Sequence, residues 1–174
     1  MPLCRAAGDA GWHHRGMRFR HLLLAAALAA STGLAAAADR PYDESADAKA
    51  QIHAALVQAA ATRKPVLLIF GANWCPDCRA LDQALHSPRN APLITQAFEV
   101  VKVDVGNFDH NTDVTGAYGN PTKKGIPAAV IVSPDNQVLY ATRAGELADA
   151  RRMSDDGVYE FFAKAAGASG VKLH

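Results

Sequence analysis

Two of the three cysteines in this 174-residue chain stand three positions apart, in Trp74-Cys75-Pro76-Asp77-Cys78. The thiolate is the reactive form of cysteine, and two thiols at this spacing can exchange in turn with a disulfide in another molecule. If a helix begins at the pair, Cys75 lies where the free N–H groups of the first turn and the helix dipole favour a negative charge. Cys75 is then the nucleophile, and Cys78, one turn inside and more shielded, is the resolving thiol. Three other uses of the pair compete. A structural zinc site needs two further ligands, and His53, His86, His110 and His174 offer no paired spacing. A structural staple closing so short a ring restrains the unfolded chain by only ~2 kcal/mol. A chance Cys-x-x-C is the third, and there the surrounding elements decide.

Those elements can be read from the hydrophobic pattern. Ser45 can cap a helix running to about Thr62, with Ile52, Ala55, Leu56 and Ala59 at helical spacing. Val66-Leu67-Leu68-Ile69-Phe70 is a continuous apolar run, too short for a buried helix, and predicts a central strand covered on both faces. The cysteine pair follows it directly and opens a helical pattern to about Leu85. A second helical piece runs from Pro88 to Ala97, and Val100 to Asp104 predicts the next strand, parallel to the first. A polar loop and a short helix to Tyr118 follow. Ala128 to Val132 and Val138 to Thr142 form a hairpin around Ser133-Pro134-Asp135-Asn136-Gln137, and Ser154 caps a last helix. The order is helix, strand, helix, strand, helix, two strands, helix.

The first residues read differently. Arg15, Arg18 and Arg20 precede an apolar run from Leu22 to Ala30 and small residues ending near Ala38, the layout of a secretory signal peptide. The run is short against the roughly 20 residues of a membrane span, although the alanines through Ala38 leave an uncleaved anchor as the alternative. The expected division is a signal peptide at 1–38, with Met17 an alternative start, and one domain at 39–174 with its core at about 50–166. Cleavage takes Cys4 away and moves the formal charge from +1 to −2. Nothing in that balance suggests nucleic acid. An exported, soluble location, where disulfides persist, follows most simply.

Phe70-Gly71-Ala72-Asn73-Trp74-Cys75-Pro76-Asp77-Cys78 resembles the active-site segment of the thioredoxin superfamily. Gly125-Ile126-Pro127 resembles its second signature, an X-Pro bond held cis opposite the cysteines, where the backbone of Ile126 would pair with an incoming substrate chain. Cis X-Pro is a minority state, so the expectation is specific. Gly145 falls where the family keeps a glycine after the last strand. Lys64-Pro65-Val66, Cys78-Arg79-Ala80-Leu81, His86-Ser87-Pro88 and Val101-Lys102-Val103-Asp104 are similar to an exported group that includes the C-terminal domain of the bacterial transmembrane thiol:disulfide interchange protein.

The resemblance implies an α/β thioredoxin fold, a mixed central sheet of about four strands flanked by helices. It implies a monomeric protein thiol–disulfide oxidoreductase, without metal or bound cofactor, that meets disulfide-bonded substrate proteins and an electron-donating redox partner. Trp74 is expected to shield the disulfide and pack on its loop.

Three departures from the family bear on direction and specificity. Ile69 stands where thioredoxin has a buried acid, leaving Asp77 as the nearest proton-transfer candidate. A charge on Asp77 opposes a thiolate at Cys75, which favours a reductase over an oxidase or isomerase; the alternative is a solvated, chemically idle acid. The extra Asn120-Pro121-Thr122-Lys123-Lys124 before the proline signature either favours an acidic partner or is a solvated turn. A non-catalytic module binding metal or a partner is the remaining alternative. A second, shorter insert at Ala148 to Met153 has no assigned role.

Overall fold

The computed structural model describes residues 40–171; the expected leader, the cleavage point and Met17 lie outside the described residues. Helix α1 (Ala48–Thr62) is capped by Asp47, whose carboxylate accepts the Ala50 N–H at 3.0 Å. The expected cap, Ser45, instead turns its hydroxyl and N–H onto Asp43. Two capping-competent residues lie two apart, and the second takes the helix. Arg63, in the left-handed region at φ 62°, ends it with an N–H to Ala59.

Strand β1 (Val66–Gly71) is buried throughout, as a central strand packed on both faces must be. Then follow α2 (Pro76–Leu85), α3 (Ala91–Ala97), β2 (Glu99–Asp104), α4 (Thr112–Ala117), β3 (Ala128–Val132), β4 (Val138–Ala141) and α5 (Asp155–Ala168). Single 3-10 turns occupy Pro121–Lys124 and Ala150–Arg152. Helix α3 starts later than Pro88 because Asn90 serves as a tie: its side-chain amide donates to Ala84 O at 2.9 Å and Asp155 O at 3.1 Å, joining the end of α2 to the start of α5.

The sheet order is β2-β1-β3-β4, with β1 and β2 parallel and the other pairs antiparallel. This is the mixed four-stranded α/β sheet expected. Alternation along β1 divides the core. Val66, Leu68 and Phe70 join Tyr42, Ile52 of α1, Val114 of α4 and both cysteines, whereas Leu67 and Ile69 join Leu81, Leu93, Val158 and Phe162 from α2, α3 and α5. Each such side chain contributes about 1.5–3 kcal/mol on burial, so β1, which supplies both cores, is the element the fold tolerates losing least. The register Phe70↔Ala128 brings the residues before β3 to the end of β1, where the cysteine loop leaves.

Candidate active site

Cys75 is the N-cap of α2, in an extended conformation, and Pro76 takes the first helical position, where a missing N–H costs nothing. The Cys78 N–H donates to Cys75 Sγ at 3.2 Å, so the sulfur takes the place of a capping oxygen. Both cysteines are free thiols; Cys75 is 4% exposed and Cys78 fully buried. A hydrogen bond from the Cys78 thiol, helped by the Cys78 N–H and opposed by burial and by the charge of Asp77, brings Cys75 down to about 7. The same sharing of one proton, followed by burial, pushes Cys78 far up. Near neutral pH, therefore, Cys75 is the thiol that ionises and Cys78 the one that holds the proton.

The Ile126–Pro127 peptide is cis. Because β3 is antiparallel to β1, this bond arrives opposite the helix start, and Ile126 O lies 3.6 Å from Cys75 Sγ. Gly125 closes the extra turn Pro121–Lys124 at φ 116°. Gly145, at φ 80°, has a local reason: a Cβ there would lie 2.8 Å from Lys124 O, so the glycine makes room for the inserted turn.

Trp74 packs on the loop that follows β2, donating Nε1–H to Gly106 O at 2.8 Å and meeting Phe108 edge-on at 6.1 Å, and it stays 52% exposed. Asp77 is neither a solvated acid nor aimed at a sulfur. It is 9% exposed, and its carboxylate accepts the Arg151 N–H at 3.0 Å with Arg151 Nε at 3.7 Å. The second insert thus holds the acid of the motif. Ile69 is buried among apolar side chains on the other side of the sheet from the cysteines. Among the described residues no group of three or more His, Cys, Asp or Glu is placed to hold a metal ion.

Residues 47–134 match the family described as Thioredoxin-like. The chain belongs to the thioredoxin-like family. A solved disulphide isomerase from Xylella fastidiosa Temecula1 is 58% identical, with 71% of this chain and 95% of that chain covered and a TM-score of 0.70. The C-terminal domain of Neisseria meningitidis DsbD, in its oxidised form, is similar in fold: 21% identity, 69% and 97% coverage, TM-score 0.52. No curated protein matches the chain.

Within this thioredoxin-like site, sequence reasoning missed two residues. Tyr42 lies in a segment that reads as a polar lead, yet it is 3% exposed and packs in the core that holds the cysteines. Asn73 fixes it there: its side chain accepts the Tyr42 N–H at 3.0 Å and donates to Tyr42 O at 2.8 Å. The one signal was an aromatic residue amid charged neighbours.

Proposed function

We propose that the protein is an exported thiol–disulfide oxidoreductase that reduces disulfides in other proteins. The observation that carries this reading is the asymmetry of the pair: Cys75 caps the start of α2 and accepts the Cys78 N–H, and Cys78 is fully buried behind it. A Cys75 pKa near 7 matches the ≈ 7 of thioredoxin and not the ≈ 3.5 of the strong oxidant DsbA. The Cys75 thiolate attacks a substrate disulfide and displaces one substrate sulfur, which takes a proton from solvent. Cys78 then attacks Cys75 Sγ in the mixed disulfide, freeing the second substrate sulfur and leaving Cys75 and Cys78 joined. An electron-donating partner must reduce that disulfide for the next turnover.

In this reading Ile126 and Pro127 guide the substrate chain. The N–H of Ile126 has no backbone partner among the described residues, so a donor is free there. Gly125 and Gly145 let the loops beside that donor pack closely enough to present it, while Trp74, Pro76 and Asp77 shape the cysteine loop. Residues 1–38 act as a cleaved signal peptide and residues 39–174 as a monomeric periplasmic domain; among the described residues no helix is long and apolar enough to cross a membrane. A Cys78→Ser protein expressed with its leader is expected to accumulate mixed disulfides with exported proteins. A reduction potential near ~ −270 mV supports the reductase, and one near ~ −120 mV refutes it. The 58% identical disulphide isomerase from Xylella fastidiosa Temecula1 favours a second reading. Reactivation of a scrambled multi-disulfide protein without net reduction would establish isomerisation instead.

A further inference from the structure

The resolving step needs a polar partner for Cys78, and the acids nearby are committed elsewhere. Asp77 faces Arg151. Asp82, one turn beyond Cys78, is held by Lys102. Asp104 accepts the Gly106 N–H and a hydrogen bond with His110 Nδ1, both at 3.0 Å. Ile69, where the family's acid would stand, offers nothing. Besides the backbone N–H of Ala72, which favours the Cys78 thiolate, one polar side chain remains on the buried side of Cys78. A Cβ built on Gly71 would lie 2.2 Å from Tyr42 Oη and 3.0 Å from Cys78 Sγ, so the phenol and the thiol share the space that Gly71 leaves empty.

We propose that Tyr42 serves the resolving step, its hydroxyl donating a hydrogen bond to Cys78 Sγ as negative charge develops there. The proposal rests on Cys75 and Cys78 being the exchanging pair. Three features of the fold place the hydroxyl. Asn73, two residues before Cys75, grips the Tyr42 backbone with two buried hydrogen bonds, so the cysteine loop carries its own clamp for the phenol. Gly71 admits the ring end where any side chain would collide with it. The hydroxyl makes no hydrogen bond to any described residue, and burial holds it well above the ordinary phenol range. It is therefore a neutral donor at working pH, suited to steady a forming thiolate and unable to act as the base.

The step balances. Cys78 S–H loses its proton to solvent, its sulfur pair forms the new bond to Cys75 Sγ, and the departing sulfur leaves with the electrons of the broken S–S bond and takes up a proton. Tyr42 keeps its own proton throughout.

An aromatic disulfide, 5,5′-dithiobis(2-nitrobenzoate), reports both steps on the whole reduced protein without any physiological partner. Attack by Cys75 releases one coloured thiolate, and attack by Cys78 on the resulting mixed disulfide releases a second. Tyr42→Phe keeps the ring and removes only the hydroxyl. The second phase is expected to slow by about tenfold or more, the size of one hydrogen bond to a charged group, while the rate of the first phase stays within about twofold and its pH midpoint does not move. An unchanged second phase overturns the proposal. So does an equal slowing of both phases, which marks a merely structural ring. A wild-type protein that shows no first phase defeats the assignment of Cys75 itself, and this proposal falls with it on a visibly different trace.

Discussion

Cys75 and Cys78 are the same side chain at the start of the same helix, and their surroundings make them opposites. Around Cys75 are things that accept or donate at the surface of the site: the Cys78 N–H, the carbonyl of Ile126, a half-exposed Trp74. Around Cys78 are Tyr42, the bare Cα of Gly71 and the apolar side chains of β1. Helix position alone does not separate them, since both lie within the first turn. What separates them is which one receives the proton of the hydrogen bond between the two sulfurs. The buried thiol keeps it because charge is expensive there, and the outer one becomes the nucleophile.

The largest break in that asymmetry is to remove either sulfur. Cys75→Ser should abolish exchange with any disulfide, whereas Cys78→Ser should retain the first attack and stall, leaving one covalent adduct per chain by mass spectrometry. Two equal residual activities would mean that the roles are not divided as described.

Next in size is the wall behind Cys78. Gly71→Ala puts a methyl 2.2 Å from Tyr42 Oη and 2.4 Å from its Cζ, and overpacking of this kind costs about 1–3 kcal/mol. Thermal melting should show the loss. A second substitution, Tyr42→Leu, should recover part of it, because the two residues occupy one volume and their effects are not additive. Full additivity would mean that the strain is relieved elsewhere.

Titration sharpens the comparison without mutation. Alkylation of the reduced protein should rise through a midpoint near pH 7, from Cys75 alone, with Cys78 silent. The sign of the linked stability follows. Folded Cys75 binds fewer protons than the unfolded thiol between about pH 7 and its ordinary value, so the reduced fold gains stability as pH rises through that window and loses it as pH falls through 7. Cys78 has the reverse sign, but only above the ordinary thiol range, where the unfolded chain deprotonates first. Chemical denaturation at pH 6 and pH 8.5 checks the direction.

Much of this was legible in the sequence because it is local. Five apolar residues in a row announce β1, the spacing of the cysteines announces the helix start, and Gly125-Ile126-Pro127 announces the opposing loop. The exceptions are contacts between residues far apart in the chain. Tyr42 reaches the site through hydrogen bonds spanning 31 residues, and the burial of Asp77 depends on a backbone N–H 74 residues away. A short-range pattern carries no trace of either. The helix cap was misread for a different reason: Ser45 and Asp47 are both competent, and only the competing bond of Ser45 to Asp43 decides between them.

Asp77 supplies the smallest and most discriminating test. Its charge works against the Cys75 thiolate, yet the pair of hydrogen bonds from Cys78 outweighs it. Arg151 lies 3.7 Å from the same carboxylate, with its side chain about half exposed, so its offsetting effect falls in the 0.2–1 kcal/mol range of surface pairs, roughly half a pH unit. Asp77→Asn keeps an acceptor for the Arg151 N–H and deletes the charge, so the alkylation midpoint should move below 7. Arg151→Ala keeps the backbone bond and deletes the counter-charge, so the midpoint should move up by a smaller amount. Opposite shifts would establish that the insert at Ala148 to Met153 tunes the nucleophile through the acid of the motif. Shifts of the same sign would mean that both substitutions merely loosen the start of α2.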